Sequence, residues 1–166
     1  MPKGIRPTQG KVRKALFDIL GDMEGLSLLE LFAGSGAVGL EAASQGAEEV
    51  VFVDKEKSCI DKIKENLSVI GLLRYRVMAL DAFKAIERFN QARERFNVIF
   101  LDPPYYQELA KKTLKMLVTY DILSPNGFIV IQHFRKDNLP EVVGDLVLFK
   151  QKRYGDTVLS FYKKDV

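Results

Sequence analysis

The chain has 166 residues, 47% of them hydrophobic and 28% charged, with 25 lysines and arginines against 22 aspartates and glutamates. That composition supports one globular domain with a sizeable core and excludes a disordered chain. No apolar run approaches the ~20 residues that span a bilayer, and the start lacks an apolar signal region, so a cytoplasmic location is expected. The one cysteine, Cys59, excludes an internal disulfide framework and gives no metal spacing. The net charge of +3 is unevenly spread: Lys3, Arg6, Lys11, Arg13 and Lys14 all precede the first acid, Asp18. Residues 1–25 thus form a basic extension, suited either to phosphate contacts or to a solvated helix face.

Thr8 can cap a helix running to about Leu20, with Val12, Leu16, Ile19 and Leu20 as its apolar stripe. Ser27 to Phe32 reads as a buried strand and Ser35 to about Gln45 as a helix closed by Gly46. The strand Glu49 to Asp54 and a helix from Glu56 to Ile70 follow, then a strand Tyr75 to Leu80 and a helix Ala82 to Ala92. Asn97 to Leu101 is the fourth strand, and Gln107 to Tyr120 the next helix. Pro125-Asn126-Gly127 turns into a strand Phe128 to Gln132. Leu139 to Val143 reads as a short helix. The last two strands, Leu146 to Arg153 and Thr157 to Tyr162, are joined through the hairpin Tyr154-Gly155-Asp156. Strands alternating with helices predict an α/β, Rossmann-like, doubly wound sheet of seven mostly parallel strands with a C-terminal antiparallel hairpin. We read residues 1–166 as a single domain with an N-terminal helical extension.

Gly34-Ser35-Gly36-Ala37-Val38-Gly39 has the spacing G-x-G-x-x-G between a strand and a helix, and Asp54 closes the next strand. Gly34 permits a tight turn, Gly36 lets a ligand approach the backbone, and Asp54 can accept from ribose hydroxyls. Loop, flanking elements and acid together favour a nucleoside-containing ligand over a glycine turn needed only for packing. The motif alone does not choose between NAD and S-adenosylmethionine. Glu30 inclines the choice to the latter, because an acid inside a strand needs a polar partner, which a ligand ammonium would supply. A buried ion pair with a protein cation is the competing reading. Asp81-Ala82-Phe83 follows the third strand, placed to read an adenine amine with Phe83 against the ring; Asp81 also suits a helix N-cap.

Asp102-Pro103-Pro104-Tyr105 directly follows the fourth strand. The exocyclic amine of a nucleobase is a poor nucleophile, since its lone pair is delocalised into the ring. A carboxylate at Asp102 and the carbonyl of Pro103 can accept from its two N–H groups and free that pair. The two prolines fix both acceptors in advance, and Tyr105 can stack on an extruded base. Tyr106 could add an aromatic contact or merely pack. His133, the sole histidine, suits a structural role better than that of a general base.

These residues resemble class I S-adenosylmethionine-dependent methyltransferases, and more narrowly the bacterial 16S ribosomal RNA guanine-N2 methyltransferase family (RsmD type). The resemblance runs through Arg6-Pro7-Thr8, Val12 to Leu20, Leu31 to Ala42, Val53-Asp54-Lys55, Asn66-Leu67, Asp102 to Tyr105 and Tyr154 to Thr157. It implies methylation of a guanine 2-amino group in small-subunit rRNA. Cofactor would be held by Glu30, the loop Phe32, Ala33, Gly34, Ser35 and Gly36, Asp54 with Lys55, and Asp81 with Ala82. Asp102, Pro103, Pro104 and Tyr105 would hold the amine. Arg6 and Thr8 would lie over the site, with Lys11, Arg13 and Lys14 towards RNA. The expected partner is 16S rRNA or an assembling small subunit, with a monomeric enzyme that uses no metal and no membrane. Relatives carry further basic residues before Arg6, which implies here either a trimmed start or a smaller RNA footprint. The rival readings are an adenine-N6 methyltransferase, which shares the tyrosine motif, and a nucleotide-binding module without chemistry.

Overall fold

The structure, a computed structural model, describes residues 9–71, 74–105 and 108–165. Its elements in chain order are α1 (Gln9–Leu20), β1 (Ser27–Leu31), α2 (Ala37–Ser44), β2 (Glu49–Asp54), α3 (Lys57–Leu67), β3 (Tyr75–Ala79), α4 (Ala82–Gln91) and β4 (Phe96–Leu101). Then come α5 (Leu109–Thr119), β5 (Leu123–Phe134), β6 (Val142–Val143), β7 (Leu146–Tyr154) and β8 (Thr157–Lys164). The strands form one sheet in the order β3-β2-β1-β4-β5-β8-β7-β6. The first five of that order run parallel, β8 is antiparallel to β5, and β7 is antiparallel to β8. From β1 the chain moves outward through β2 and β3, then returns to β4 on the other side. That reversal leaves a crevice at the carboxyl ends of β1 and β4.

Period-two alternation gives each face of the sheet its own core. Leu29, Leu31, Ile99 and Leu101 are buried with Ile86 of α4 and Leu114 of α5. Leu28, Phe52, Val98 and Phe100 are buried on the opposite face with Val38 of α2 and Ile63 of α3. Val12, Leu16 and Phe17 of α1 belong to this second core, so this helix is packed on the sheet. Lys11 and Lys14 remain exposed, and Lys14 Nζ lies 3.2 Å from Asp18. Arg6, Pro7 and Thr8, the expected cap included, fall outside the described residues.

Seven of the eight strands are the expected ones. The eighth, β6, replaces the helix expected over Leu139 to Val143: Val142 pairs with Val147 and Val143 with Leu146, across a turn in which Gly144 has φ 57°. Two β-branched valines behind Pro140 favour the extended backbone. The fifth strand is also longer than expected. Pro125-Asn126-Gly127 does not separate elements but bulges within β5, where the register to β4 shifts between the Phe96–Leu123 and Val98–Phe128 pairs. Among the described residues, no helix is long and apolar enough to cross a membrane.

Candidate active site

Strand register brings the two motifs to one edge. Leu31 pairs with Val53 on one side and with Leu101 on the other. The loop after β1, Asp54 at the end of β2 and Asp102 after β4 therefore emerge side by side. Asp54 pairs with Ala79, which puts Leu80-Asp81-Ala82 next along.

The loop is held in an unusual path. Phe32, Gly34 and Gly36 all have positive φ, of 56°, 58° and 78°. For a phenylalanine this region costs of order 1 kcal/mol or more. It is fixed from both sides, since Ala33 N–H donates to the Val53 carbonyl at 3.0 Å and Gly34 N–H to Asp54 Oδ2 at 2.9 Å. Asp54 Oδ1 accepts from Glu56 N–H at 2.9 Å. Asp54 thus ties the loop to β2, and beyond these two amides and the Cys59 thiol its carboxylate keeps acceptor capacity for a ligand hydroxyl. Ser35 is exposed at the tip of the turn, Lys55 is exposed beside Asp54, and Ala33 and Ala82 are buried.

Within the protein, Glu30 meets a backbone donor and not the cation of a buried ion pair. It is 3% exposed, and Oε1 accepts from the Gly39 N–H at 2.8 Å, in the first turn of α2. The Val38 N–H also favours its charged form. The acid in β1 therefore answers the orphan donors and positive end of a helix, and no lysine or arginine pairs with it among the described residues. Burial is the larger influence and pushes its pKa up to about 8, helped by the nearby charges of Asp102 and Asp54. Asp81 is the N-cap of α4, accepting from Phe83 N–H at 2.9 Å and Lys84 N–H at 3.3 Å.

Asp102 is half-buried, Pro103 buried and Pro104 exposed. The half-buried Tyr105 ring packs on Phe134 at 5.5 Å between centroids, tilted by 33°, and its hydroxyl is 3.5 Å from Thr157 Oγ1. A cavity of about 290 Å³ opens beside Pro104 and Tyr105. Tyr106 lies outside the described residues. Phe134 is the site residue that sequence reading missed, because its place behind Tyr105 depends on how far β5 extends. His133, next to it, is buried with Nε2 2.7 Å from Ser160 Oγ and Nδ1 3.0 Å from the Phe134 carbonyl.

Three carboxyls, Glu30, Asp54 and Asp102, therefore converge on one crevice, with space open above Gly34, where an added Cβ would meet nothing within 4 Å. The charges of Asp54 and Asp102, joined by Glu30 when it gives up its proton, suit a ligand carrying positive charge.

Known proteins resemble this chain over nearly its whole length. The family model described as conserved hypothetical protein 95 matches residues 1–163. The chain is 40% identical to YlbH of Bacillus subtilis, over 96% of this chain and 88% of that protein. It is 28% identical to ribosomal RNA small subunit methyltransferase D of Escherichia coli, over 98% and 81% of the two chains. The solved structure of a conserved hypothetical protein from Streptococcus pyogenes superposes with a TM-score of 0.84 at 30% identity, over 92% of this chain and 95% of that one. On this evidence the chain belongs to the conserved hypothetical protein 95 family, the family of ribosomal RNA small subunit methyltransferase D.

Proposed function

We propose that this protein is an S-adenosylmethionine-dependent methyltransferase of ribosomal RNA, and that its target is the exocyclic N2 amine of a guanine in small-subunit rRNA. The observation that carries the reading is the register of β1 beside β4, which sets the glycine loop and Asp102 at one edge. The family supports the reaction class and the rRNA substrate. S-adenosylmethionine fits the crevice because its sulfonium and ammonium are both cationic where three acids gather. When bound it supplies an electrophilic methyl group.

This chain's own residues do the rest. Asp54, with Lys55 beside it, would receive the ribose hydroxyls, and the loop Phe32 to Gly36 with Glu30 would hold the charged amino-acid end. Asp81 and Ala82 would hold the adenine. Asp102 and the Pro103 carbonyl would accept from the two N–H groups of the guanine amine and free the nitrogen lone pair for methyl transfer, with Asp102 taking up the proton that the amine gives up. Pro104 holds the turn, and Tyr105, backed by Phe134, stacks on the base. No step calls for a metal. We place the protein in the cytoplasm with its rRNA, acting as a monomeric single domain, with Lys11, Arg13 and Lys14 of α1 as RNA contacts.

The test is Asp102→Ala with labelled cofactor and undermethylated small-subunit particles, followed by digestion and identification of the nucleoside. Methyl transfer should fall at least about 100-fold, with cofactor affinity changed little, and the wild-type product should be N2-methylguanosine. Retained turnover in a folded variant would remove Asp102 from the reaction. N6-methyladenosine as product would replace the guanine reading with its adenine rival.

A further inference from the structure

An extruded base stays joined to its ribose and phosphates, so the strand that carries it must leave the site along one side of β4. The side of β1, β2 and β3 is taken by the glycine loop, Asp54 and Asp81. The β5 side is open. There the cavity beside Tyr105 shares His133, Asp137, Asn138 and Leu139 with a second cavity of about 320 Å³, which reaches Gln151 and Arg153 on β7. The two form one groove running from the tyrosine motif across the end of β5 to β7.

Cations stand along it. Lys111, in the first turn of α5, and Lys136, just after β5, both line the first cavity and are exposed. Neither has an ion-pair partner among the described residues. Arg153 stands at the far end, its Nε donating to the Gly155 carbonyl at 2.9 Å. Glu108, Asp137 and Glu141 also border the groove, and Arg135, which lines it too, is held by Asp156, so net charge draws RNA in only weakly. The cations act as separate phosphate contacts, and the acids can accept from ribose 2′-hydroxyls or base N–H groups. The floor is uncharged: burial holds the His133 pKa below its ordinary value, and its ring is engaged by Ser160.

We propose that this groove carries the RNA strand flanking the methylated nucleotide, with Lys111 and Lys136 on the phosphates next to the extruded base and Arg153 on one further along. This rests on the rRNA methyltransferase reading. It assigns RNA contacts on the α5 face of the sheet, opposite the face on which α1 packs, so the lysines of α1 and the groove are separate sites.

The test compares the double variant Lys111→Ala, Lys136→Ala with Lys112→Ala, Lys115→Ala, two exposed lysines of the same helix that do not line the groove. The first pair should raise the KM for undermethylated small-subunit particles about tenfold, with kcat within about twofold. It should also lower the slope of log affinity against log salt by about 1.4, since each single-strand phosphate contact contributes about 0.7. The second pair should leave both quantities near wild type. Unchanged KM and slope in the groove variant, or an equal loss in the control pair, overturns the proposal. Particle binding is read whether or not the protein turns over. Absence of methyl transfer by the wild-type chain would therefore sink the function reading, while the groove stands or falls on the salt slope.

Discussion

At Glu30 a carboxyl buried in β1 meets the first turn of α2, and the contact explains why the third residue type of the glycine motif matters. Gly39 donates to Glu30, and a Cβ on Gly39 would sit 2.9 Å from Glu30 Oε1 and collide with the Phe52 ring. Gly39→Ala should therefore cost about 1–3 kcal/mol in urea denaturation; a smaller loss would mean that Phe52 yields easily. The sequence marked Glu30 as an acid in need of a partner, but the partner is a backbone donor, which no residue type advertises. Asp81 was legible as a cap because capping is local. Phe134 was not legible, because its contact with Tyr105 joins segments that meet only through sheet register. That contact bears on function. If Tyr105 stacks on the base as proposed, Tyr105→Phe keeps the ring and should stay within about threefold of wild-type kcat, whereas Tyr105→Ala forfeits stacking of about 1–3 kcal/mol and should lose at least about fivefold. Equal defects in single-turnover assays would shift the role to the hydroxyl near Thr157.

At the scale of elements, β1 to β4 and their helices were readable because each buries a face with its own period, two or 3.6. The C-terminal third was less so. Its strands owe their extent to neighbours: β5 runs on to Phe134 because β8 pairs with it as far as Thr157, and β6 exists only as a partner for β7. Side chains stitch the three long strands together. Gln151 of β7 donates to Ser160 of β8 at 2.9 Å, and the Ser160 hydroxyl donates to Nε2 of His133 on β5, whose Nδ1–H donates to the Phe134 carbonyl. This order of donors makes His133 the neutral Nδ1 tautomer and the structural histidine that its place in the strand suggested. His133→Ala leaves the buried Ser160 O–H without its acceptor, and should destabilise the fold by about 1–3 kcal/mol with an unchanged urea m-value. A changed m-value would mean that the hairpin unfolds on its own.

For the molecule as a whole, two buried groups tie stability to pH with opposite signs. Glu30, raised to about 8, binds its proton more tightly folded than unfolded, so its contribution is full below about pH 4.5 and is lost as pH climbs through 8. His133 is lowered, so its contribution is present above about pH 6.5 and is lost on acidification. Below pH 6.5 the two oppose each other; between 6.5 and 8 Glu30 acts without His133. There the stability of the cofactor-free protein should fall by up to about 1.4 kcal/mol per pH unit. Glu30→Gln keeps an acceptor for the Gly39 N–H and should flatten that slope, as read from urea midpoints at pH 6.5, 7.25 and 8. The same proton links the fold to the reaction, because a cationic ligand settling beside Glu30 favours the carboxylate. Cofactor binding at pH 7 should then release up to one proton. Calorimetry in buffers of different ionisation enthalpy should show this in the wild type and not in Glu30→Gln. If both proteins bind without proton release, Glu30 is a helix anchor alone, and the positive charge of the ligand must be answered by Asp54 and Asp102.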